Sequence, residues 1–295
     1  MAGSWTTRIE DLTRASLARA VGELAAWADE AVAAIASGQM GADDQDRLRA
    51  LCVAMVEGDE GNARARLGAG EVLAALGDPR LRTPADPDYW VTLTLGSGDP
   101  FAIGRFPVTN QEFRAWVEAG GYDDRAAWSD DGWAWKEETA DTWPSLAARD
   151  SVRAFVVANQ PVVGVSWFEA DAYARGVGAR LPRWYERVWA VRGAEKRPYP
   201  WGDPFREGYA NTKEEVLERP CAVGLYVRDV TPEGVHDLAG NAAEWTGEEA
   251  GEERLLHPGS YDQPSLASWA KALTSAAPSA RWGALGFRLA RDVEA

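Results

Sequence analysis

The chain is poor in the side chains that most often carry out chemistry. Its 295 residues include two histidines, His236 and His257, and two cysteines, Cys52 and Cys221. The cysteines are far apart and form no CxxC, so neither a disulfide framework nor a thiolate zinc knuckle is expected. No apolar run is long enough to span a bilayer, and the mean hydropathy is -0.35. The opening residues, Met1 to Arg8, hold no apolar stretch, so no secretory signal is expected and the cytoplasm is the expected compartment. Positive charge is also scarce: 31 Lys and Arg face 46 Asp and Glu, a net -15. That surplus repels a phosphate backbone and argues against a nucleic-acid role; its plainest meaning is solubility. There is no P-loop and no G-x-S-x-G, and spacing singles out no carboxylate pair for acid–base work.

What remains is enough to build a core. The chain is longer than one typical domain, and 46% of it is hydrophobic. Fifteen tryptophans are many for this length. Each adds a large apolar surface and one N–H that needs a partner, so core packing in a loop-rich fold is their expected use. Residues 1–80 read as a helical region. Ile9, Leu12, Leu17, Val21, Leu24, Ala28, Val32 and Ile35 follow a helical stripe with one imperfect step from Leu12 to Leu17. After Ser37-Gly38 and the capping candidate Asp43, a second helix carries Leu48, Leu51, Cys52, Met55 and Val56 inward. A third, from about Asn62 to Leu76, stops at Gly77 before Asp78-Pro79. The expected product is a three-helix bundle or partial repeat unit, with Cys52 a core thiol. Leu81 to Asp88 marks the boundary.

From residue 89 to 295 the texture changes. Tyr89–Leu95 and Phe101–Phe106 read as strands around the turn Gly96-Ser97-Gly98-Asp99-Pro100. Thr109-Asn110-Gln111-Glu112 and Ser166-Trp167-Phe168-Glu169 are capping boxes, each opening a helix. A further helix runs from Arg183 to Arg192 and is closed by Gly193. Two or three helices with short strands and long loops indicate an α+β module, and neither a parallel sheet nor a barrel.

An ordered series of motifs narrows this. It comprises Pro161-Val162-Val163-Gly164-Val165-Ser166-Trp167, Arg180-Leu181-Pro182, Tyr199-Pro200-Trp201-Gly202-Asp203, Gly234 to Trp245, Gly259-Ser260-Tyr261 and Leu285-Gly286-Phe287-Arg288. Over about residues 100–291 the chain resembles the formylglycine-generating enzyme (sulfatase-modifying factor) family, a variant of the C-type-lectin fold. The resemblance implies a structural calcium loop with side-chain ligands Asp237 and Glu244 and carbonyl ligands Gly240 and Ala242. Calcium takes six to eight hard oxygens, so such a set suits it. Spacing alone is better met by a tight turn whose carboxylates are solvated or paired with arginine. The family's second calcium loop is matched only at Asn211-Thr212.

The residues that do the family's chemistry are missing. The resemblance implies copper(I) held by two thiolates near the C-terminus, and soft Cu(I) needs soft ligands. No cysteine follows Cys221. The related sulfoxide synthases use iron on three histidines and a longer helical domain, and two histidines cannot supply that set. The expectation is therefore no copper, no iron and no enzyme. The tail from Gly259 to Arg288 instead resembles the ending of retroelement-diversified variable proteins, whose frame is met by Gly259-Ser260, Pro278, Arg281 and Leu285 to Arg288. Between frame residues, Tyr261, Trp269, Lys271 and Trp282 stand among small residues and form the candidate ligand-binding set. The main expectation is a non-enzymatic module that binds a protein or small ligand through this tail. The alternative is an oxygen- or metal-dependent modifying enzyme whose active site the motifs do not reveal.

Overall fold

The computed structural model describes residues 4–293 except 61, 62, 97, 140, 141 and 149. The expected helix start at Asn62 and Ser97 of the first turn lie outside the described residues. Before residue 80 there are five helices: α1 (Trp5–Arg14), α2 (Leu17–Ala25), α3 (Ala28–Ala36), α4 (Ala42–Glu57) and α5 (Ala63–Leu76). The single long stripe is thus cut twice. Ala15 is extended (φ -77°, ψ 158°), and Trp27 leaves the helical region at φ -139°. The first break coincides with the imperfect step from Leu12 to Leu17; the second leaves the periodicity intact because α2 and α3 both bury their apolar residues. Gly41, not Asp43, is the N-cap of α4, with Asp43 and Asp44 in its first turn, where a negative charge suits the helix dipole. Gly77, at φ 81°, follows the end of α5 as its motif requires.

The remainder holds α6 (Asn110–Glu118), α7 (Asp130–Glu138), α8 (Trp143–Ala147), α9 (Trp167–Gly176) and α10 (Trp184–Arg192) among short strands. An antiparallel sheet has the order β1 (Trp90–Thr94), β2 (Pro100–Gly104), β7 (Ala290–Asp292). A second has the order β5 (Thr274–Ala276), β4 (Glu253–His257), β3 (Ala243–Ala250), β6 (Leu285–Phe287), with β3 and β6 parallel. The C-terminal segment therefore enters both sheets. The fold is mixed α and β of the expected class.

Both capping boxes form. Glu112 Oε2 accepts the Thr109 N–H at 2.9 Å, and Glu169 Oε2 accepts that of Ser166 at 2.7 Å. Glu169 goes further, since its Oε1 accepts the Tyr122 hydroxyl at 2.5 Å and the Trp143 N–H at 2.7 Å. One buried carboxylate thereby ties α9 to α8 and to the loop after α6. Buried tryptophans find carbonyls for their N–H groups: Trp245 donates to Val165, Trp167 to Thr246 and Trp128 to Gly121. Large indoles thus enter the core without leaving these donors unpaired.

The helical region does not close its core alone. Cys221, Leu225 and Tyr226 complete the cluster that contains Cys52, Leu73 and Leu76. Asn159 Nδ2 donates to the Gly70 carbonyl and to Asp78, and a Cβ on Gly70 would lie 2.9 Å from that of Ala222. Helix α5 is thus seated directly on the loop at 221–226. Among the described residues, no helix is long and apolar enough to cross a membrane.

Close backbone approach makes one glycine testable. A Cβ on Gly286 in β6 would stand 2.2 Å from the Val162 carbonyl oxygen, so Gly286→Ala must displace backbone. We expect it to cost about 3 kcal/mol in urea denaturation. Gly22, inside α2 with nothing within 4 Å of its Cβ position, provides the contrast. Gly22→Ala should stabilise by roughly 0.5–1 kcal/mol. Equal stability of the two variants would show that the β6–Val162 contact is not tight.

Candidate functional site

The segment from Gly234 to Trp245 is held by carboxylates and amides. Asp229 Oδ1 accepts the N–H groups of Leu238 and Ala239 at 3.1 Å, and its Oδ2 accepts those of Ala239 and Gly240. Asp237 adopts φ 53° and accepts the Gly224 N–H at 2.8 Å. Burial first, then the charge of Asp237, pushes Asp229 up to about 8; burial likewise raises Asp237 to about 6. Asn241, at φ 72°, accepts the Cys221 N–H at 2.9 Å and donates to the Cys221 carbonyl.

Glu244 faces two arginines. Its Oε2 accepts Arg187 Nε at 2.7 Å and its Oε1 accepts Arg288 Nε at 2.8 Å, with all three side chains buried. Arg187 also donates to the Leu238 carbonyl, and Arg288 to those of Gly104, His236 and Asp237. Burial works against the Glu244 charge, but the two guanidiniums hold its carboxyl below the usual range. The calcium expectation finds no support in this geometry. Both oxygens of Glu244 are taken by cations, Asp237 is committed to Gly224, and the Gly240 carbonyl closes a turn onto the Ala242 N–H. The Asp237, Gly240, Ala242 and Glu244 set makes an arginine-paired turn, the arrangement that spacing alone favoured.

His257 and both cysteines are buried. His257 is fully buried and stays neutral, because burial and then the Arg187 charge lower it. It accepts the Gly259 N–H at Nδ1, and its Nε2 meets the Trp269 carbonyl at 3.1 Å. Cys52 and Cys221 are both buried, and desolvation pushes the Cys52 thiol up to about 12 and Cys221 well up. Among the described residues, no group of three or more His, Cys, Asp or Glu is placed to hold a metal ion. The donors of this chain do not fit a copper thiolate pair or a three-histidine iron centre.

The tail residues divide. Trp269 and Trp282 are 41% and 47% exposed, and Lys271 is exposed. Tyr261 is 8% exposed, which corrects its place on an open surface. Its hydroxyl donates to the Gly283 carbonyl at 3.2 Å, and burial raises it to about 12, so the phenol is neutral. Tyr261 lines a cavity of about 240 Å³ with Trp143, Phe155, Val163, Gly164 and Arg281. The Arg281 guanidinium lies 5.5 Å from the Trp135 ring centroid, and its buried Nη1 has no hydrogen-bond partner among the described residues. Sequence reasoning placed Arg281 only in the frame of the tail. Its missing partner, and the wall that α8 supplies, carried no signal in one dimension.

The family model for the sulfatase-modifying factor enzyme 1-like domain matches residues 66–293. The chain belongs to this family. The match begins inside α5, upstream of the boundary expected at residues 81–88, in keeping with the seat of that helix on the loop at 221–226. Hercynine oxygenase of Mycolicibacterium thermoresistibile is 39% identical over 157 residues, covering 50% of this chain and 35% of that protein. The chain thus spans about a third of the length of the oxygenases it matches. Inactive C-alpha-formylglycine-generating enzyme 2 of Mus musculus is 30% identical over 217 residues, covering 62% of this chain and 68% of that one. PvdO from Pseudomonas aeruginosa superimposes with a TM-score of 0.50 at 26% identity, covering 66% of this chain and 81% of that one.

These findings correct the expectation of a non-enzyme. Three hercynine oxygenases stand at 39%, 34% and 36% identity, and their name is that of a catalyst. Kinship with oxygenases also removes the general exclusion of iron that was drawn from the resemblance. What the sequence itself shows is narrower: two histidines and two widely separated cysteines.

The arginine-paired turn makes a prediction of its own. Removing one member of a buried ion triad leaves an uncompensated charge, worth about 3–5 kcal/mol. Glu244→Ala should lose that much in chemical denaturation, and a chelator should leave the melting temperature of the wild type unchanged. A chelator-induced fall that Glu244→Ala abolishes would restore the calcium loop.

Proposed function

We propose that the chain is an oxygen- or metal-dependent modifying enzyme of this family that holds a small carboxylate-bearing substrate in the cavity beneath Tyr261 and Arg281. The observation that carries the reading is a cavity of about 240 Å³ in which Arg281 is the one charged residue among largely apolar and aromatic walls, its Nη1 buried with no partner among the described residues. An unpaired buried donor costs about 1–3 kcal/mol, recovered when a ligand oxygen accepts from it. Few polar groups among apolar and aromatic walls is the usual composition of a small-molecule site. Kinship with proteins named hercynine oxygenase supplies the reaction class and the first substrate to try.

Hercynine, a trimethylated histidine, has the matching parts. Its carboxylate suits the Arg281 fork, and its trimethylammonium suits the ring faces of Trp143, Phe155 and Tyr261, since aromatic walls attract quaternary ammonium groups. The neutral Tyr261 hydroxyl holds a proton at the wall, fixed by the Gly283 carbonyl. Trp282, next in the chain to Gly283 and exposed, is available to a substrate that extends outward. The described residues bind, orient and exclude water; no step is assigned to copper or iron, because the donors do not fit them.

The test is a calorimetric titration of hercynine into wild type and Arg281→Met, with dioxygen uptake measured beside it. We expect saturable binding, at least tenfold weaker binding in the variant, and uptake that requires hercynine. Absence of binding, or equal affinity in both proteins, removes the cavity as the substrate site. Binding without uptake removes the enzymatic reading.

A further inference from the structure

Three arginines converge on a second cavity, at the seam between the helical region and the rest of the fold. This cavity measures about 590 Å³ and is lined by Arg80, Arg82, Arg105, Phe106, His236 and Glu57, with Val53, Pro79 and Val227 completing apolar walls. Such a cluster is unexpected in a chain of net charge -15. It is assembled from four separate segments: α4, the connection after α5, the loop after β2, and residues 224–236.

The arginines are unequally satisfied. Arg80 is committed to Asp78, with Nη2 at 2.6 Å from Oδ2. Arg82 donates to the Leu81 carbonyl at 3.1 Å and lies 3.6 Å from Asp86, with its side chain 42% exposed. Arg105 donates only to carbonyls, reaching Gly234 at 3.2 Å and Asp88 at 3.5 Å, and forms no ion pair among the described residues. The His236 ring lies 5.0 Å from that of Phe106, and its buried Nδ1 has no partner among the described residues. The one carboxylate in the wall, Glu57, is exposed. Carbonyl bonds leave a guanidinium its full charge, so the cavity presents a positive, partly apolar face.

We propose that this cavity binds a small oxyanion, a phosphate- or carboxylate-bearing molecule with an apolar body, and that the bound ligand clamps the helical region onto the rest of the fold. Arg105 and Arg82 are the anchors, because a planar guanidinium meets either oxyanion through paired N–H donors. Phe106 and Val53 take the apolar body. Arg80, paired with Asp78, is a fixed wall of the cavity and not an anchor. The proposal is independent of the cavity beneath Tyr261, which shares no wall with this one.

The experiment uses the full chain with inorganic pyrophosphate and, separately, citrate, read by thermal melts and calorimetry. We expect one of the two to bind saturably and raise the melting temperature, which also identifies the source of the oxyanion. Arg82→Ala/Arg105→Ala should weaken that binding at least tenfold, and Arg105→Lys should retain part of it. Arg14→Ala, on the exposed end of α1, should change nothing. Should the double variant fail to fold, Arg82→Ala alone carries the test, since that side chain is largely outside the core. The proposal is overturned if neither anion binds, if the arginine variants bind as the wild type does, or if Arg14→Ala weakens binding equally.

Discussion

The structure turns on a single buried carboxylate. Glu244 sits between Arg187 and Arg288, and those two guanidiniums also collect carbonyls from Leu238, Gly104, His236 and Asp237. The triad therefore joins α10, the start of β3, the end of β2, the turn at 236–238 and the segment after β6. Burying three charges is costly, and geometry must return what desolvation takes. Here it does so by satisfying nearly every N–H: the one orphan is Arg187 Nη1. A turn that a cation might have organised is organised by arginine, and the strand carrying Trp245 starts from it.

How much of this was legible depended on the distance over which each interaction acts. Local signals were legible. The capping boxes at Thr109 and Ser166 formed as written because N-cap and N3 residues lie three positions apart. Gly77 closed α5 because the left-handed turn needs a residue without a Cβ. The break at Ala15 falls at the imperfect step from Leu12 to Leu17, whereas the break at Trp27 was hidden by a stripe that stays in phase through it. Helices α7 and α8 were not among the expected helices; α8 is short and opens on Trp143-Pro144, where proline is favoured in a first turn. The triad was out of reach, since its partners lie 57 and 44 positions from Glu244.

The candidate site shows the same division. The motifs pointed to the C-terminal tail, and the tail contributes Tyr261, Arg281 and Gly283 to the cavity wall. Its remaining walls come from Trp143 to Val156 and from Val163-Gly164, segments that the motifs did not join to it. An absence is harder still to read from sequence. That Arg281 has a donor to spare is visible only once every nearby acceptor is placed, which is why counting cysteines and histidines argued against an enzyme while the fold's kinship argued for one.

Both proposals ask an acidic chain to hold a ligand's oxyanion group, and the range of electrostatics decides whether it can. The net charge acts through solvent, where screening confines it to about 8 Å at physiological ionic strength. Within a partly desolvated cavity the nearest guanidinium dominates, because the effective dielectric falls and the separation is a hydrogen bond. The surplus of carboxylates therefore slows the approach of an anion without cancelling the hold of Arg281 or Arg105 once it arrives. It also discriminates: an extended polyanion meets the acidic surface along its whole length, whereas a compact one meets only the arginines. A compact ligand with one oxyanion group, as both proposals require, is compatible with such a charge distribution.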